Sequence, residues 1–201
     1  MHIKDYRTLG ILASPFMGVN HLANLISTSP LVAGRKRVDN YLDYVLAQYE
    51  SNQNRFHVDE FHLFGSEDYQ QAVELVASNE LTTVLPGHTE DAFWVLPKLQ
   101  HLGRLGLITL EVYEPELFYN ETRKRQTANY NPYLYRFLYR KEVVARLFNL
   151  PEDDIFAIDI KDFFTENADP LLSALNDVYQ LELNLDFCKK LHSIWYAKVN
   201  H

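Results

Sequence analysis

Four short apolar runs, each closed by a turn and followed by a helical pattern, limit what this chain can fold into more than any other feature. Thr8 to Ala13, Leu81 to Leu85, Gly106 to Tyr113 and Ile155 to Ile160 each read as a buried strand. Helical spacing follows the first run at Leu22, Leu25 and Ile26, and Ser27 to Pro30 ends that helix. Val38, Tyr41, Leu42, Val45, Leu46 and Tyr49 fall at steps of three and four, with Asp39, Asp43 and Gln48 on the other side. The same reasoning predicts helices over 69–79, 90–102, 133–148, 169–180 and 186–199. Pro86-Gly87 is expected to stop the second strand, 55–64 reads equally as strand or loop, and 114–132 is a long polar connection.

Strands that alternate with helices need crossover connections, so the expected fold is α/β: three layers, with a mostly parallel central sheet flanked by helices. With 201 residues, 47% of them apolar, the chain can fill one substantial core, and one domain over 1–201 is expected. No basic-plus-apolar leader is visible, and no apolar run approaches the roughly 20 residues of a bilayer span, so a cytoplasmic protein without a membrane partner is expected. Cys188 shares a helical face with Leu185, Leu191, His192 and Trp195 and reads as a small buried apolar residue. A formal charge of −8 argues against general nucleic-acid binding but leaves room for one small anionic ligand held by a few local cations.

In a parallel sheet ligands bind beyond the carboxyl ends of the strands, which directs attention to the chain after residues 13, 85, 113 and 160. Ser14-Pro15-Phe16-Met17-Gly18 turns the chain from the first strand into the first helix. The free N–H groups at such a helix start, with the helix dipole behind them, suit an anion. The usual nucleotide loop GxxxxGK[ST] is absent, because Val19, Asn20 and His21 follow Gly18, and this counts against an ordinary kinase or NTPase.

The segment from Ser14 to Leu22 resembles the phosphosulfate-binding loop of sulfotransferases, whose common form is Tyr-Pro-Lys-Ser-Gly-Thr-Thr-Trp-Leu. Pro15, Gly18 and Leu22 match in register, and Asn20-His21 is similar to the Gly-Asn-His-Leu form of divergent, partly phage-borne relatives. The resemblance continues in order along the chain. Pro86-Gly87-His88 follows a strand where that family places its catalytic base, and a polar segment follows 106–113 where it places groups for the donor's 3′-phosphate. Asp-rich Ile158 to Phe164, then Leu185 to Trp195, resemble its closing helices.

What the resemblance implies is a three-layer P-loop-type domain that transfers a sulfuryl group from 3′-phosphoadenosine-5′-phosphosulfate to a hydroxyl or amine acceptor, with no metal expected. It makes Pro15, Phe16, Met17, Gly18, Val19, Asn20 and His21, with Arg123 and Arg125, the candidate donor-binding residues, and His88 and His21 the candidate catalytic ones. The family's loop lysine falls on Phe16, and its hydroxyl positions fall on Met17, Val19 and Asn20. Two alternatives therefore stand beside it: a nucleotide or small-molecule kinase on the same fold, and a non-catalytic binding relative.

Other clusters have plainer readings. His57 with Asp59 and Glu60 with His62 would alternate faces of a strand, leaving two ligands per side, too few for a zinc site. Arg35-Lys36-Arg37 reads as a helix-flanking or substrate-facing patch. Tyr135 and Tyr139, four apart near Arg136 and Arg140, read as the core face of an amphipathic helix.

Overall fold

The computed structural model describes residues 1–13, 18–33, 40–51, 68–87, 92–113 and 138–199. Five strands form the sheet: β1 (Thr8–Leu12), β2 (Val32–Ala33), β3 (Thr82–Gly87), β4 (Leu105–Glu111) and β5 (Ile155–Asp159). Their order is β2-β3-β1-β4-β5, and every pairing is parallel. The helices are α1 (Val19–Ile26), α2 (Tyr41–Glu50), α3 (Asp68–Ser78), α4 (Ala92–Lys98), α5 (Lys141–Phe148), α6 (Ile160–Phe163), α7 (Asp169–Tyr179) and α8 (Leu185–Val199). The expected α/β architecture, a parallel sheet between helical layers, is what the chain adopts.

Side chains alternate across a strand, and that alternation sorts the core into two halves. Leu9, Ile11, Val84, Ile108, Leu110 and Ile158 pack under α1, α2, α7 and α8. Leu12, Leu85, Leu105, Leu107 and Ile155 pack under α3, α4 and α5. Gly10 lets the second layer come close, since a Cβ there would stand 2.7 Å from Leu107 and 2.8 Å from Leu96 of α4. Among the described residues, no helix is long and apolar enough to cross a membrane.

The topology gives β1 a special place. Its connection to β2, at the sheet edge, carries α1 on one face, whereas α4 and α5, the next described helices after β3 and β4, pack on the opposite face. Connections that part to opposite faces open a crevice at the carboxyl ends, and here it lies at the end of β1.

Several elements differ from the sequence reading. β3 continues through Pro86-Gly87, which pair with Ile11 and Leu12, because β2 covers only Thr82 and Thr83 and the missing proline N–H interrupts no described ladder. β2 itself is two residues long, too short to show a period. The helix expected over 90–102 is α4 followed by a 3-10 turn at Leu99–Leu102, with Pro97 removing a backbone donor just before the tightening. Ile160 opens α6 instead of ending β5, because the Asp159 carboxylate accepts the Lys161 N–H at 3.1 Å as an N-cap.

The amino end of the sheet is fastened by polar groups. Asp154, almost fully buried, accepts the Tyr6 hydroxyl at 2.9 Å and the Arg104 guanidinium at 2.5 and 3.3 Å, while that guanidinium lies 4.9 Å from the centre of the Tyr6 ring. Asp154→Ala would leave the Tyr6 hydroxyl without its partner, although half-exposed Arg104 can turn to water. The expected loss is about 1–3 kcal/mol, read as a lower urea midpoint at unchanged slope.

Candidate functional site

β1 carries the chain out of the middle of the sheet, and Ala13 still bonds across to the Gly87 carbonyl at 3.3 Å. The expected donor-binding residues Pro15, Phe16 and Met17 lie outside the described residues, as do His88, Arg123, Arg125, the 35–37 cations and the 57–62 cluster. Gly18, Val19, Asn20 and His21 are described, and they open α1.

Gly18 caps α1 in the left-handed region, with φ 71°. Two constraints meet there. A side chain would be strained at that φ, and a Cβ would come within 2.9 Å of both the Phe163 and Trp195 rings. The turn therefore rests its backbone directly on an aromatic floor supplied by α6 and α8. The first N–H groups of α1 have no intrahelical partner, and Asn20 holds a buried side-chain oxygen without a hydrogen-bond partner among the described residues.

His21, expected among the catalytic and donor-binding residues, lies in the interior beneath the start of α1. Its ring is 1% exposed and stacks on Trp195 at 4.3 Å and 12°, with Phe163 on the same cluster at 5.6 Å. Both nitrogens are occupied: Nδ1 lies 2.7 Å from the Tyr49 hydroxyl and Nε2 lies 3.1 Å from His192 Nδ1. His192 Nε2 is in turn 2.8 Å from the Thr165 carbonyl.

A carbonyl only accepts, so this chain has one direction when both rings are neutral. His192 donates from Nε2 to Thr165, His21 donates from Nε2 to His192 Nδ1, and Tyr49 donates to His21 Nδ1. Asn24 then donates to the Tyr49 oxygen at 3.3 Å. Burial, with His192 as the second cause, holds the His21 pKa well below its ordinary value. Burial likewise lowers that of His192, against smaller opposing effects of the Thr165 carbonyl and Asp169. The group ties α1, α2 and α8 together.

A second polar cluster stands at the end of β4, next to β1. Glu111 is 2% exposed and receives the Lys141 N–H at 2.7 Å, the Tyr113 hydroxyl at 2.5 Å and, more weakly, the Thr109 hydroxyl at 3.5 Å. Arg140 approaches the same carboxylate at 3.6 Å and lies 3.8 Å from the centre of the Tyr113 ring. The hydrogen bond to Glu111, with burial second, raises the Tyr113 pKa. Neither Glu111 nor Arg140 stands out in the sequence as a site residue; Glu111 sits inside an apolar run, and an acidic residue in such a run is the one signal available. Tyr139, expected on a core face, is buried against Phe93 at 5.5 Å. Cys188 is buried as expected. Among the described residues, no group of three or more His, Cys, Asp or Glu side chains converges to hold a metal ion.

No protein-family model matches this sequence, and no curated protein matches it.

Gly18→Ala adds a strained φ and a steric conflict at one position, so it should cost about 1–3 kcal/mol and lower the thermal midpoint with the fold retained. The histidine pair gives a pH signature. Both pKa values are lower in the folded chain, so in acid the unfolded chain binds more protons. Their contribution is intact above roughly pH 6.5, the unfolded value, and is lost as pH falls toward the folded values. From pH 7.5 to 5.5 the wild type should lose roughly 1 kcal/mol per fully suppressed histidine. A His21→Gln, His192→Gln double variant should show a flatter urea-midpoint profile over that window.

Proposed function

We propose that this protein is a sulfotransferase-like group-transfer enzyme that binds 3′-phosphoadenosine-5′-phosphosulfate at the turn between β1 and α1. The observation that carries the reading is the placement of that turn. The segment that resembles a phosphosulfate loop leaves the central strand of a parallel sheet, at the crevice where the neighbouring connections part, and ends in a left-handed glycine that opens a helix. The topology predicts a ligand there and the helix start favours an anionic one. The fold by itself is compatible with many reactions, so the choice of sulfuryl transfer rests on the resemblance of 14–22 and of 86–88.

In this reading the backbone N–H groups from Gly18 to Asn20 face the donor's phosphosulfate, Arg123 and Arg125 bind its 3′-phosphate, and His88 is the base. The acceptor oxygen or nitrogen attacks sulfur while the bond from sulfur to the bridging phosphate oxygen breaks. The bond pair leaves with adenosine 3′,5′-bisphosphate, and the acceptor's proton passes to His88. His21 has no chemical step and keeps the helix start in place from below.

Calorimetric titration with adenosine 3′,5′-bisphosphate, with ATP as the control, tests the donor site. Binding with a dissociation constant on the order of micromolar, independent of magnesium and much tighter than ATP, is the expected result. Magnesium-dependent ATP binding would replace sulfuryl transfer by phosphoryl transfer. Failure of the protein to bind either nucleotide would overturn the donor site. His88→Ala should retain the bisphosphate affinity within about twofold, because a base for the acceptor contributes little to binding the spent donor.

A further inference from the structure

We propose that Arg140 is the oxyanion-binding cation of the β1 crevice, and that Glu111 and Tyr113 are the residues that position it. The inference rests on the donor-binding reading for the identity of the ligand, but the side-chain arrangement stands independently of it.

Place comes first. β1 and β4 are adjacent and parallel, and their last paired residues are Leu12 and Thr109. Glu111 lies two residues farther along β4, roughly 7 Å beyond that pair and about one strand spacing to the side of the chain leaving β1. Arg140, just before α5, reaches that carboxylate. The guanidinium therefore stands at the carboxyl edge of β4, on the face of the sheet that carries α5.

Bonding comes second. The Glu111 carboxylate is supplied with hydrogen bonds by the Lys141 N–H and the Tyr113 and Thr109 hydroxyls, so Arg140 is not needed to satisfy it. At 3.6 Å the approach of Arg140 is longer than a hydrogen bond. A guanidinium has five N–H donors in a rigid fork. Among the described residues, only Glu111 and Tyr113 lie against this guanidinium. The side chain nevertheless keeps only 20% of its exposure. A largely buried arginine, held over a ring, with most of its donors unspent among the described residues, is suited to two oxygens of a phosphate or sulfate group.

Charge comes third. Phe16 stands where a loop lysine is found in the resembling family, so the turn brings no cation from that position. Arg140 approaches the same crevice from the β4 side and supplies one, while Glu111 sets its direction.

The test compares wild type, Arg140→Gln and Arg140→Lys, titrated with adenosine 3′,5′-bisphosphate and with adenosine, and followed by thermal shift in inorganic sulfate. Circular dichroism and the ligand-free midpoint report folding. For Arg140→Gln, bisphosphate affinity should fall about tenfold or more with adenosine affinity unchanged. Arg140→Lys should fall in between, and if Arg140→Gln does not fold, that intermediate loss decides the question. Variants that bind the bisphosphate as tightly as wild type would overturn the assignment while leaving the donor site intact. If wild type binds no bisphosphate, the donor reading fails, and sulfate decides for Arg140: stabilisation of wild type but not of the variants supports the cation site, and equal response of all three overturns it.

Discussion

The pairing of β1 on both of its edges is the constraint from which the rest of this structure follows. Its five residues form parallel ladders with Thr83 to Gly87 on one side and Leu105 to Thr109 on the other, and all five are buried. Parallel neighbours cannot be joined by hairpins, so each pairing obliges the chain to cross a face of the sheet, and the crossings build the helical layers. A central β1 also sends its turn out at the middle of the carboxyl edge, with β3 and β4 as walls. An edge position would have left the same turn with one wall and no crevice. The close packing at Gly10, where Leu96 and Leu107 fill the space of a side chain, shows how tightly this strand is held.

Beneath the turn the protein places two imidazoles where a hydrocarbon core is expected. Burying polar rings is unfavourable unless every nitrogen is matched, and here the Thr165 carbonyl fixes the direction of each donor back to Tyr49. The consequence is registry. Leucines at these positions would fill the space and let α1 slide on α8, whereas a directional chain from α2 through α1 to α8 holds one arrangement. Trp195 and Phe163, which stack on His21, are the same rings that bear the Gly18 backbone. The position of the helix start and the neutrality of the histidines are thus one property of the packing.

How far the sequence discloses this depends on the length over which each signal accumulates. β1, β4, α2, α7 and α8 announce themselves because buried positions recur often enough to set a period, and Cys188 with Leu191, His192 and Trp195 keeps to one face as expected. β2 has two residues and no period to show. Pro86 reads as a stop because proline usually is one; only the neighbour's length, a tertiary fact, shows that its missing donor is harmless. The surroundings of His21 are hidden for a similar reason. A polar residue at a helix start has a local explanation, and its actual partners are 28 and 171 residues away along the chain. Glu111 and Arg140 meet across 29 residues of sequence by the same kind of long-range closure.

The distribution of charge gives the crevice its electrostatic character. Lys189 with Asp169 and Lys190 with Glu50 are pairs of half-exposed groups, and such pairs add little to stability because water screens them. Arg104 and Lys161 also keep more than half of their side-chain surface in solvent. Arg140 differs from these four in being largely withdrawn from water against a carboxylate that is 1% exposed. Withdrawal weakens screening, so the field of this pair is felt farther at the carboxyl edge than that of the surface pairs. In a chain of net charge −8, an anion cannot be drawn in by overall attraction. In the proposed reading it is held by groups already fixed in place, of two kinds: the N–H groups at the start of α1, and the guanidinium that lies over the Tyr113 ring.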